Sequence, residues 1–161
     1  MIRATLDTNV LVSGLAGLEV PASTPGAIVW HWLNDTFELV VSAGILAELE
    51  RTLTKPYYRS RRSPAQIEAA VRPIVSQATI VVPTVTISGV TTHPEDDLVL
   101  AVAASARVDY LVTGDKPLQR LGAYQSVRVI SPARSSIFWR RPAATSMSAR
   151  VRSPRSAEPR R

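Results

Sequence analysis

The chain has 161 residues, 45% of them hydrophobic, and no cysteine, which predicts one domain with a sizeable core and excludes disulfides and thiolate metal sites. No stretch approaches the roughly 18 apolar residues of a membrane span, and Asp7 falls where a secretory signal would be apolar, so a soluble, unexported, cytoplasmic protein is expected. The net charge of +6 is uneven: residues 140–161 hold seven arginines against Glu158 alone, leaving 12 basic and 12 acidic side chains in residues 1–139.

In chain order, a short apolar strand ends at Leu6 and gives way to Asp7-Thr8-Asn9. A loop containing Gly14, Gly17, Pro21 and Pro25 follows, and Ser23 or Thr24 caps a helix running to Leu33. Phe37 to Val41 reads as a strand buried on both faces. Ser42 then caps a helix from Ala43 to Leu53 with Ile45, Leu46, Leu49 and Leu53 as its apolar stripe. After a basic connector, residues 51–62, Ser63-Pro64-Ala65-Gln66 forms a capping box opening a helix to about Val75. Ile80 to Ile87 is β-rich but broken by Pro83, and Thr92-His93-Pro94-Glu95 is a second capping-box pattern before the helix carrying Leu98 to Ala104.

Tyr110 to Val112 is the next buried strand, Lys116 to Leu121 a short helix, and Val127 to Ile130 a last strand. Strands alternating with helices imply an α/β fold, a central, mostly parallel sheet flanked by helices in three layers. From Ala133 onward arginine, serine, proline and alanine take over around one apolar patch, Ile137-Phe138-Trp139. The expected boundary is therefore a domain over residues 1–132 and a disordered tail over 133–161. The blunt change in composition also raises the hypothesis that this end was read out of frame, which resequencing would test.

Four acids have partners in this arrangement. Asp7 and Asp115 lie just past strand ends, and Glu48 and Asp97 lie in the opening turns of helices that begin near the same edge of the sheet. Packed together they repel one another and hold protons, and a divalent cation removes that conflict. Oxygen ligands select Mg²⁺ or Mn²⁺, and His31 and His93 are too few and badly spaced for zinc. The chemistry that fits is phosphodiester hydrolysis by metal-activated water. Taken singly, each acid has a plainer reading: Asp96 or Asp97 complements a helix dipole, Asp115 is a turn residue, and Glu48 and Glu50 border the same stripe.

Leu6 to Ser13, Phe37 to Leu53, and Pro94 to Lys116 together resemble the PIN domains, and within them the VapC-like toxins of prokaryotic toxin–antitoxin pairs. The most specific segment is Asp97 followed by Leu100, Ala101 and Ala104, then Asp109-Tyr110-Leu111-Val112-Thr113-Gly114-Asp115. The resemblance spans residues 2–132 in order. It implies a PIN-like fold and a Mg²⁺-dependent ribonuclease acting on RNA and restrained by a cognate antitoxin, as a homodimer or a hetero-oligomer with it. Asp7, Glu48, Asp97 and Asp115 look like the acidic positions that hold metal, with Thr8, Asn9 and Thr113 as polar supports. Helical register against the small residues favours Asp97 over Asp96, and family position favours Glu48 over Glu50.

Arg51, Lys55, Arg59, Arg61 and Arg62, interleaved with Tyr57 and Tyr58, could guide single-stranded RNA by phosphate contact and stacking, or form a solvated helix end. Of Trp30 and Trp32, two apart on one helix, one is expected in the core. His31 and His93 read as surface or capping residues. Two other functional classes fit parts of the pattern: a non-catalytic PIN-like module binding RNA or protein, and a small-molecule phosphatase. Asn9 argues against the latter, since aspartyl phosphatases usually place a second Asp two residues after the first.

Overall fold

A computed structural model describes residues 1–139 of the chain. The strands β1 (Arg3–Leu6), β2 (Glu38–Val41), β3 (Thr79–Ile80), β4 (Tyr110–Val112), β5 (Ala123–Tyr124) and β6 (Val127–Ile130) form one sheet in the order β3-β2-β1-β4-β6-β5. All neighbours pair parallel except β5 against β6. Ala4, Leu6, Leu39, Val40, Val41, Leu111 and Val112 are buried, as strands covered on both faces must be.

Helices α1 (Thr8–Ala16), α2 (Thr24–Leu33) and α3 (Ala43–Leu53) pack on one another, with α4 (Pro56–Arg59) and α5 (Pro64–Gln77) following α3. Helix α6 (Pro94–Ala106) packs against β1, β2 and β4. Right-handed crossovers put α6 on the face opposite α1–α3, because the strand order reverses direction between the β2 and β4 sides of β1. In such sheets the crevice at the reversal, beyond the carboxyl ends of the strands, is the ligand site. Here it lies at the ends of β1 and β4.

Several local expectations hold for the reasons given. Ser23, Ser42 and Ser63 cap α2, α3 and α5, and Ser63 and Gln66 make the reciprocal capping box. Others fail. The segment after β1 is no loop but a helix from Thr8, and its glycines serve packing: a Cβ on Gly14 would lie 2.3 Å from Val29 Cγ2 and 2.9 Å from the Pro25 carbonyl oxygen. The β-rich run from Ile80 contributes only Thr79–Ile80 to the sheet, since Pro83 cannot donate to a ladder. At the start of α6 the cap is His93, without a side-chain cap bond, so Thr92 does not form the expected box.

The packed chain also continues past residue 132. Helix α8 (Pro132–Ser135) contacts α2. The ring of Trp139, 3% exposed, stacks on Phe37 with centroids 4.5 Å apart. Phe138 lies on Tyr110 at 4.6 Å. The aromatic residues of the apolar patch thus pack against Phe37 and Tyr110, at the amino-terminal ends of β2 and β4, past the boundary expected at 132. Trp32 is the core tryptophan, and His31, 3% exposed, is buried beside it rather than at the surface. The seven arginines of residues 140–161 lie outside the described residues.

Candidate active site

Asp7 is the first residue beyond β1 and the N-cap of α1. Its amide donates to the Val112 carbonyl at 2.9 Å, so the β1–β4 ladder itself fixes its backbone. The side chain does not cap the helix; one carboxylate oxygen accepts the Thr113 hydroxyl at 2.7 Å. Burial pushes the Asp7 carboxyl above its ordinary value against the pull of the bonds from Thr113 and the Thr8 amide, and the nearby charge of Asp115 adds to the rise.

Thr113, with no exposed surface, ends β4 and faces both ways: its hydroxyl oxygen also accepts the Asp115 amide at 3.0 Å. Asp115 is half-buried and caps α7 (Lys116–Arg120) by accepting the Leu118 amide at 2.8 Å. One hydroxyl therefore ties two carboxylate-bearing residues from the two central strand ends.

A further acid that feels the charges of these two comes from the opposite face, Asp96. This half-buried carboxyl is pushed up from 3.8 to about 6 by burial first, then by the charges of Asp7 and Asp115, with His93 partly offsetting them. Its neighbour Asp97 is 4% exposed and points elsewhere: its two oxygens accept the amides of Gly89 at 2.9 Å and Thr91 at 2.8 Å. Burial raises the Asp97 carboxyl, but those bonds outweigh it and leave it below its ordinary value.

The spacing favours Asp97 over Asp96, and the two carboxyls diverge here: Asp97 is bonded to the Gly89 and Thr91 amides, while Asp96 feels the charges of Asp7 and Asp115. Consecutive helical residues diverge by about 100°, so the pair cannot both face the strand ends. The spacing that selected Asp97, shared with Leu100, Ala101 and Ala104, marks the buried stripe of α6.

Glu48 has an ion-pair partner of its own. It lies half-buried on α3, with its carboxylate 3.0 Å from the Arg51 guanidinium one turn on. Thr8 is buried and Asn9 exposed. Among the described residues no three acidic or histidine side chains form a ready-made coordination shell. The charges of Asp7 and Asp115 nevertheless oppose ionisation of Asp96, and that of Asp115 opposes ionisation of Asp7, an excess of negative charge that a hard cation neutralises.

Of the basic connector, Arg51 is held by Glu48, Arg61 lies 3.8 Å over the Tyr57 ring, and Arg62 donates to the Ala16 carbonyl at 3.2 Å. Ala16 ends α1 and Asp7 precedes its start, so Arg62 meets the helix about 13 Å along its axis from Asp7. Lys55 and Arg59 are exposed. A groove of about 470 Å³ beside Arg59, lined by Thr54, Ile67, Val71 and Val75, contains none of the three aspartates.

The family model described as PIN domain matches residues 3–117, from the first residue of β1 into α7. The chain belongs to the PIN-domain family. The fold of this PIN domain is similar to the crystal structure of VapBC2 from Rickettsia felis bound to a DNA fragment from their promoter. The similarity has a TM-score of 0.54 and 15% identity, and covers 81% of this chain and 98% of that one. No curated protein matches the sequence. The PIN match includes β1, α6 and β4, the elements that carry or adjoin Asp7, Asp96 and Asp115.

Proposed function

We propose that this PIN domain is a Mg²⁺- or Mn²⁺-dependent endoribonuclease and the toxin of a type II toxin–antitoxin pair. The observation that carries the reading is the pair of acids at the two central strand ends, Asp7 and Asp115, joined through the Thr113 hydroxyl, with Asp96 coupled to both by charge. Asp7 and Asp96 are held above their ordinary ionisation range, with the charges of neighbouring aspartates contributing to both shifts. Similarity to the VapC-like toxins, and to the VapBC2 structure in fold, supports an antitoxin as partner and an RNA as substrate, in the cytoplasm.

Asp7, Asp96 and Asp115 would hold the cation, an all-oxygen set that suits magnesium or manganese. When bound, the cation lowers the pKa of water and stabilises charge on phosphoryl oxygens. The chain's own contribution is orientation. Thr113 holds Asp7 by its hydroxyl, the Leu118 amide holds Asp115, and the first turn of α6 presents Asp96 from across the crevice. Glu48 would join only by leaving Arg51.

The test is RNA cleavage by the purified protein with Mg²⁺, with and without chelator. Asp7→Asn and Asp96→Asn should each retain the fold and lose cleavage by at least 100-fold, and full activity in either overturns the assignment. The ion pair of Glu48 with Arg51, which leaves three carboxylates in the cluster, favours the non-catalytic alternative, a module that binds RNA or protein without cutting. Absence of cleavage with either metal across varied RNAs would select that alternative.

A further inference from the structure

We infer that the connector between α3 and α5 holds single-stranded RNA, with Tyr57 stacking on an unpaired base and Lys55, Arg59 and Arg61 meeting its phosphates; this deepens the RNA reading above, with or without cleavage. Residues 51–62 hold five of the 12 basic side chains of residues 1–139 and none of the 12 acids. The stretch is thus a positive island in a domain whose remainder is acidic. Glu48 answers the charge of Arg51, but among the described residues no carboxylate pairs with Lys55, Arg59, Arg61 or Arg62. Of the acids that line the groove with Arg59, Glu68 pairs with Arg72 and Glu50 lies beyond ion-pair distance of Arg59.

Charge alone would make a solvated helix end; the aromatic geometry sets this stretch apart. Tyr57 is 60% exposed, yet its ring is held on two sides. The Arg61 guanidinium carbon lies 3.8 Å over one face. Tyr58, which packs against the core, meets the ring at 4.9 Å with the planes at 81°. Arg61 is itself fixed, donating from Nη1 to the Tyr57 carbonyl at 2.8 Å. Helix α4 buries none of its residues, so core packing does not account for the exposed ring. An aromatic platform fixed before binding gives up little side-chain entropy when a base stacks on it, and only an unpaired base can present its face there. The platform is separate from the aspartates, since Arg62 meets α1 about 13 Å along its axis from Asp7. Stacked nucleotides rise about 3.4 Å each, so about four of them cover that distance.

The experiment measures binding of the full chain to a fluorescent single-stranded RNA of about 12 nucleotides by anisotropy, in chelator, so that no strand is cut and no cation is needed. Tyr57→Ala should weaken binding by about 5- to 100-fold, the loss of one stacked base, whereas Tyr57→Phe should stay within a few-fold of wild type. Lys55→Ala combined with Arg59→Ala should lower the slope of log affinity against log salt by about 1.4, two phosphate contacts on a single strand. All three side chains are exposed, so their replacement leaves the core intact, and circular dichroism checks it. The arginines of residues 140–161 are present in every variant, so their share of the affinity cancels.

Equal RNA affinity in wild type and Tyr57→Ala, or no measurable binding by either, overturns the inference. So does duplex RNA bound as tightly as the single strand and weakened equally by Tyr57→Ala. A polyglutamate peptide whose binding, unlike that of RNA, is lost with Lys55 and Arg59 would mark a protein-docking surface and overturn it as well. Connector-dependent binding by a protein that cuts no RNA with Mg²⁺ defeats the nuclease reading alone. Cleavage by a protein whose RNA binding ignores Tyr57 defeats the connector alone.

Discussion

Thr113 donates a hydrogen bond from its hydroxyl to the Asp7 carboxylate at 2.7 Å from a position with no exposed surface. That bond favours the charged form of a carboxylate whose burial favours the neutral one. Thr113→Val keeps the shape and removes the donor. It should cost about 1–3 kcal/mol of stability and lower cleavage by about 10- to 100-fold, whereas Thr113→Ser should stay within a few-fold of wild type. Urea denaturation and single-turnover cleavage measure the two effects, and equal activity in Val and Ser variants would refute the role.

Asp96 makes the metal-free protein sensitive to pH. A carboxyl raised in the folded state holds its proton more tightly there than in the unfolded chain, so stability falls as pH rises from 3.8 to about 6. Above that range the penalty is fully present; below it, absent. Asp97, lowered, acts oppositely: its stabilisation is present above 3.8 and fades as pH drops through its folded value. With chelator, Asp96→Asn should therefore match wild type near pH 4 and exceed it in urea midpoint near pH 7, and Mg²⁺ should erase the gap. A gap that is largest at pH 4 would contradict this sign.

At Gly14, α1 and α2 approach so closely that any side chain collides with Val29 and with the Pro25 backbone. Gly14→Ala should destabilise the fold by about 1–3 kcal/mol through overpacking, despite alanine's better helix propensity. Thermal denaturation would show a lowered midpoint; a raised one would mean that α2 yields without cost.

Trp139 tests where the domain ends. Trp139→Ala removes a buried ring stacked on Phe37 and should cost about 3–5 kcal/mol. Trp139→Phe should cost far less, because the indole Nε1 is buried without a hydrogen-bond partner among the described residues, so its loss forfeits no bond there. Truncation after residue 132 should resemble the alanine variant. Wild-type stability in the truncated chain would restore the boundary suggested by composition.

The strands and most capped helices could be read from the chain because β-branched runs and Ser–Pro cap signals act locally. Helix α1 was hidden by Gly14, whose intrinsic preference argues against a helix that tertiary packing requires. The packing of Trp139 was hidden because an Arg- and Ser-rich context outweighed two aromatic residues whose partners, Phe37 and Tyr110, come from distant chain. Asp7 and Asp115 were legible as acids at strand ends. The division between Asp96 and Asp97 was not, since it depends on where residues 89–91 cross α6, a tertiary fact with no period in sequence.

The pairing of Leu6 with Val112 also has an evolutionary corollary. Asp7 and Thr113 each follow a paired residue on adjacent strands, so one interstrand spacing, about 4.8 Å, sets their separation with no flexible chain between. Surrounding helices can drift in sequence, lengthen or be traded among relatives without disturbing that separation. A slip of one residue in the ladder would turn both side chains to opposite faces at once, so the ancestral register is the inheritance that such a lineage cannot revise piecemeal.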